Sequence, residues 1–116
     1  MRISVDLAFS DGGIENLKQF PRLQRLKLEQ TSITDQSMRL IGELRGLKEL
    51  NVRYTSITDK GLDWIKELHQ LRWLYIEGTK VTVAAADRLR KALPKATVYL
   101  KVGDRFQRAE VDDEDR

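Results

Sequence analysis

Residues 23–33 read Leu23-Gln24-Arg25-Leu26-Lys27-Leu28-Glu29-Gln30-Thr31-Ser32-Ile33, and the apolar and threonine positions of this stretch return twice. Leu47, Leu50, Val52, Thr55 and Ile57 restate it 24 residues on, and Leu71, Leu74, Ile76, Thr79 and Val81 restate it again. A fixed period of this length marks stacked units, none of which can bury its apolar face alone. In Leu26-x-Leu28 and its copies apolar and polar residues alternate, the two-residue period of a strand. Beyond Thr34 the apolar residues are Met38, Ile41, Leu44 and Leu47, and beyond Thr58 they are Leu62, Ile65, Leu68 and Leu71. These three- and four-residue steps predict one apolar stripe along a helix.

The helix starts carry their own signals. Thr34, Thr58 and Thr82 stand where a hydroxyl can accept from a free backbone N–H, and Asp35 and Asp59 follow with negative charge near the positive helix end. Ser10 and Asp11 fall in phase with these pairs, and Ile14, Leu17, Phe20 and Leu23 continue the stripe. An N-terminal unit with a shortened loop is therefore expected, its strand register running through either Ile3/Val5 or Val5/Leu7. Val83 breaks the aspartate pattern. Pro94 ends a fourth helix expected over Ala84 to Leu93, and Thr97-Val98-Tyr99-Leu100 repeats the strand Trp73-Leu74-Tyr75-Ile76. The expected architecture is an α/β solenoid of about five parallel strands and four helices joined by right-handed crossovers.

With these residues in view, the chain resembles the leucine-rich repeat family. The segments Ile33-Thr34-Asp35 and Ile57-Thr58-Asp59-Lys60-Gly61-Leu62 are similar to its helix-containing class, that of ribonuclease inhibitor and F-box-associated repeats. The resemblance covers residues from about 5 to 102 and implies a short solenoid with strands on the concave face and helices on the convex face. It divides the chain into an irregular N-terminal unit 1–22, repeats 23–46, 47–70 and 71–94, and a C-terminal strand and cap 95–109. An acidic tail, 110–116, is expected to be disordered. The family usually has Asn or Cys where Thr31, Thr55 and Thr79 stand here; a threonine hydroxyl can still bond a loop carbonyl, so these three read as structural. Family resemblance also implies protein ligands.

Composition narrows the function classes. Of 116 residues 41% are hydrophobic and 34% charged, with no cysteine and a net charge of +3. There is no apolar run of bilayer length and no signal-peptide layout at Met1-Arg2-Ile3-Ser4-Val5-Asp6, so a cytoplasmic protein without membrane contact is expected. The tail Glu110–Arg116 holds five acids and one base, leaving 20 Lys/Arg against 13 Asp/Glu in residues 1–109, a net +7. Charge of this kind can shield a basic surface over a Debye length of about 8 Å. His69 is the lone histidine, Asp59 and Asp63 pair on a solvated helix face, and Asp11-Gly12-Gly13 lacks the lysine of a phosphate loop. No enzyme, metal or cofactor is expected.

Binding residues follow from the alternation. Side chains between the buried leucines face outward in three rows: Arg25, Glu49, Trp73, Thr97; Lys27, Asn51, Tyr75, Tyr99; and Glu29, Arg53, Glu77, Lys101. The third row alternates in sign and reads either as a self-satisfied ladder or as charges that a partner completes. Trp73, Tyr75 and Tyr99 are the expected anchors, because exposed aromatics combine rigid apolar surface with a polar tip. Arg53, Asn51, Lys27, Glu77 and Lys101 would set orientation and charge. Trp64 reads instead as part of a helix seam with Leu40 and Arg88, whose guanidinium could stack on the indole. The strand face projects only about 300 Å² from strand spacing and rise, below the roughly 800 Å² per partner of a standard interface. Loops contribute, or the ligand is a short peptide, or binding is transient, or the chain is part of a longer array. A protein or peptide is the expected partner, with single-stranded nucleic acid the alternative.

Overall fold

The computed structural model of this chain describes residues 2–4 and 10–100. Its strands are β1 (Arg2–Ser4), β2 (Arg25–Lys27), β3 (Glu49–Asn51), β4 (Trp73–Tyr75) and β5 (Thr97–Tyr99). They join one parallel sheet in the order β1-β2-β3-β4-β5. Between them lie α1 (Asp11–Ile14) with the 3-10 turn Glu15–Gln19, α2 (Asp35–Ile41), α3 (Asp59–Asp63) and α4 (Val83–Ala92). α4 begins and ends one residue earlier than its apolar pattern predicts. Lys101 and the tail 110–116 lie outside the described residues.

Register turns the sequence period into rows. Leu26 sits beside Leu50, Leu50 beside Leu74 and Leu74 beside Val98. All four are buried, each flanked by residues that face the other side of the sheet. Ile3 pairs with Leu26, which resolves the open register of the first unit in favour of Ile3. Pairing continues past the strand ends: Leu28 N–H donates to Asn51 O, Gln30 N–H to Arg53 O, and Tyr54 N–H to Glu77 O, at 2.7, 2.8 and 3.0 Å. Glu29, Arg53 and Glu77 are thereby held in the same lattice as the formal strands.

The helical layer differs from its expectation in an instructive way. α2 has seven residues and α3 five, yet the buried stripe runs on to Leu47 and Leu71. Leu44 N–H donates to Ile41 O and Leu47 N–H to Leu44 O; Ile65, Leu68 and Leu71 repeat the arrangement on Leu62, Ile65 and Leu68. Steps of three residues match the three residues per turn of a 3-10 path, so the stripe stays on one side only if the backbone tightens. Burying each such leucine or isoleucine contributes about 1.5–3 kcal/mol.

The aspartates tie one unit to the next. Asp11 accepts from Thr34 N–H and Thr34 Oγ1, Asp35 from the same groups of Thr58, and Asp59 from those of Thr82. Each threonine in turn accepts a backbone N–H of its own helix: Gln36, Lys60 and Ala85. Ser10, in phase with them, makes no such side-chain cap. Val83 occupies the next aspartate position, and residue 106, where a further threonine would stand, is Phe. The hydroxyls of Thr31, Thr55 and Thr79 donate to the carbonyls of Leu28, Val52 and Ile76 at 2.7–2.8 Å, closing the turn after each strand.

Candidate functional site

The open side of the sheet carries the rows expected from the alternation, at two depths. Trp73 and Tyr75 flank the buried Leu74 and are half-buried, so neither enters the core. Lys27 is half-buried and Arg25 exposed. Asn51, Glu77 and Tyr99, three of the expected contact residues, are 2%, 3% and 2% exposed. They form the buried floor of the open face.

That floor is tightly bonded. Arg53 Nε donates to Glu77 Oε1 at 2.7 Å, and its Nη1 stands 3.9 Å from Glu29 Oε1. Asn51 Nδ2 donates to Glu29 Oε1 at 2.7 Å, while its Oδ1 accepts the Arg53 backbone N–H at 3.1 Å. The Arg53 guanidinium also lies 4.4 Å from the centroid of the Tyr75 ring. From the β5 side, Tyr99 stacks on Tyr75 with centroids 4.7 Å apart and planes 5° apart. A sandwich of cation, ring and ring thus crosses three strands. In the third row, the described residues Glu29, Arg53 and Glu77 stand within ion-pair distance of one another through Arg53.

The strand-entry edge is different. Arg25 stands 3.8 Å from Glu49, with Arg25 about half exposed. Arg72 lies 5.9 Å from the Trp73 ring, and Lys48 occupies the same phase one strand back; both are exposed. These two were missed by reading only the three rows, yet the period places them directly (48 and 72, one residue before each strand). Tyr54 was missed as well. It is 53% exposed and left-handed at φ 57°. In this turn position the other repeats place Gln30 and Gly78, both also at positive φ. The Tyr54 ring lies against Gly78 where any side chain on that glycine would stand. An aromatic in phase with a glycine was the available signal.

Trp64 stacks differently from its expectation. Arg39 of α2, rather than Arg88 of α4, lies over its ring at 5.5 Å. The indole, 48% exposed, borders a groove of about 530 Å³ with Arg39, Arg45, Asp63 and Glu67. Gly42 makes this approach possible, since a side chain there would overlap the Trp64 carbonyl oxygen.

Few residues are disposed for chemistry. Asp59 is engaged by Thr82, and His69 is exposed beside Glu67 at 3.6 Å. Among the described residues no group of three or more His, Cys, Asp or Glu could hold a metal ion. No described helix is long and apolar enough to cross a membrane. The Asp11 carboxyl is moved from its ordinary value: burial raises it, but hydrogen bonds from the Ser37 and Thr34 hydroxyls and their backbones outweigh that, leaving its pKa lowered.

A family model described as leucine rich repeat matches residues 21–81. Among solved structures, a leucine-rich-repeat protein of Leptospira interrogans superposes with a TM-score of 0.52 at 23% identity. The match covers 73% of this chain but only 27% of that protein, a likeness of fold alone. No curated protein matches the chain by sequence.

Proposed function

The chain belongs to the leucine-rich repeat family, and from that premise we propose that the open, concave side of its sheet recognises a protein or peptide without catalysis. Repeats of this family commonly mediate protein–protein interaction. The observation that carries the reading is Trp73: a half-buried indole on the open face, in the row of Glu49 and Thr97, one row from the bonded set that includes Asn51 and Tyr99. A large side chain held on a preorganised surface can bind at little entropic cost. Trp73 is the proposed anchor, Tyr75 offers its edge, and Lys27 supplies charge. Arg53, Asn51, Glu77 and Tyr99 act by holding these in place. The short helix in each repeat supports the ribonuclease-inhibitor-like or F-box-associated class.

Single-stranded nucleic acid is less well supported. Base stacking needs open ring faces, whereas Tyr75 is sandwiched between Arg53 and Tyr99, and Arg72 lies over Trp73. The test is parallel affinity capture with the wild-type, Trp73→Ala and Trp64→Ala proteins, each verified as folded by circular dichroism. The set of proteins retained by wild type and Trp64→Ala should be lost with Trp73→Ala. Equal retention by all three refutes the open-face site.

A further inference from the structure

On the helical side, the groove beside Trp64 collects charges that its own chain leaves unanswered. Three cations, Arg39, Arg45 and Lys66, and three acids, Glu43, Asp63 and Glu67, line it. All six are exposed. Glu67 lies 3.6 Å from the exposed His69. Among the described residues, no opposite charge lies within ion-pair distance of the other five. In their midst the indole is 48% exposed, with Arg39 over its ring. An exposed tryptophan ringed by charges has the make-up of an interface, an apolar centre within a polar rim.

The distribution of sign decides which partner fits. The unit of α2 contributes two cations and one acid, Arg39, Arg45 and Glu43, and the unit of α3 two acids and one cation, Asp63, Glu67 and Lys66. A polyanion or a polycation would meet like charge on one half of such a surface. A surface with the same two halves in opposite order matches it, and a two-fold axis through the groove supplies one. The basic half of each copy then faces the acidic half of the other. From this complementarity we infer that the groove is the contact between two copies of this chain, with the two Trp64 side chains at its centre. The chain carries a net +3, so copies repel at long range, and a balanced patch is where that repulsion is least felt. Two helical units about 10 Å apart make a patch of about 400 Å². That is half the roughly 800 Å² per partner of a standard interface, so the pair is reversible and forms at about 100 μM. The contact lies among the helices and does not depend on the open-face reading.

Sedimentation velocity of the full-length protein, from about 10 μM to about 1 mM, brackets that association. The mean mass should rise from monomer towards dimer, whereas folded Trp64→Ala should stay monomeric. Two folded charge variants test the arrangement. Arg39→Glu/Arg45→Glu and Asp63→Lys/Glu67→Lys should each weaken self-association about tenfold or more, since each sets like charges face to face. Mixed in equal amounts they should pair with each other, because both halves are complementary again, and Trp64→Ala in both should abolish that pairing. A wild type that is monomeric throughout overturns the inference. A dimer unchanged by Trp64→Ala or by the charge variants also overturns it, by placing the contact elsewhere, as does a mixture that fails to pair. A monomeric wild type that loses a captured protein on Trp64→Ala overturns it in favour of a different partner.

Discussion

The Arg53 guanidinium lies 4.4 Å from the centre of the Tyr75 ring while its Nε donates to the buried Glu77 at 2.7 Å. One arginine therefore satisfies an acid that water cannot reach and covers one side of an aromatic ring. Lysine could supply the charge but neither the fork nor the plane. The candidate binding face consequently depends on a side chain that is itself only 16% exposed.

Removing that arginine should be costly. Arg53→Ala removes the ion pair made at 2.7 Å with the buried Glu77, and the expected loss is about 3 kcal/mol in urea unfolding. The double variant Arg53→Met/Glu77→Leu should be more stable than Arg53→Ala, because the buried carboxylate leaves together with its arginine. A double variant less stable than the single one would show that the charged pair itself, rather than the desolvation of Glu77, sets the cost.

The aspartate ties should be separable from the helix charge they also provide. Asp35→Ala removes the acceptor of Thr58 N–H and Oγ1, and a loss of about 1–2 kcal/mol is expected. Val83→Asp adds an acid to the first turn of α4 with no threonine to hold; the helix end alone should favour it by about 0.3–1 kcal/mol. Chemical denaturation of the two variants checks both signs.

Asp11 predicts a specific acid sensitivity. Its folded pKa is lowered from 3.8, so its stabilising contribution is fully present above the unfolded value. That contribution is lost as pH falls through the lower, folded value. Unfolding free energy measured downward from pH 5 should fall less steeply below pH 3.8 in Asp11→Asn than in wild type. Parallel curves would assign the acid sensitivity to other carboxylates.

Gly42 should tolerate no side chain. A methyl group there overlaps the Trp64 carbonyl oxygen, and backbone cannot swing aside as a side chain can. Gly42→Ala should cost about 1–3 kcal/mol, although alanine is the better helix former. Trp64 fluorescence should shift in the same variant, which thermal unfolding alone would not reveal.

The period alone places Leu26, Leu50, Leu74 and Val98 in one buried row, because a two-residue alternation leaves a strand only one way to hide its leucines. It likewise put Trp73 and Tyr75 on the open side. Depth was not legible there. Nothing in Asn51, Glu77 or Tyr99 as letters distinguishes a side chain on the surface from one under its neighbours. The aspartates were readable as helix-end charge but not as ties to the next unit, since that bond spans 23 residues.

Local periodicity and turn chemistry were thus sufficient to specify which side of each element faces the core. They act through the nearest residues, and the chain carries them in its order. The partners of Arg53, the stacking of Tyr75 on Tyr99 and the meeting of Arg39 with Trp64 were settled only when adjacent units came within a few ångströms. Those contacts depend on how far a long side chain reaches and which competing partner stands closer, and such distances exist only in the folded stack.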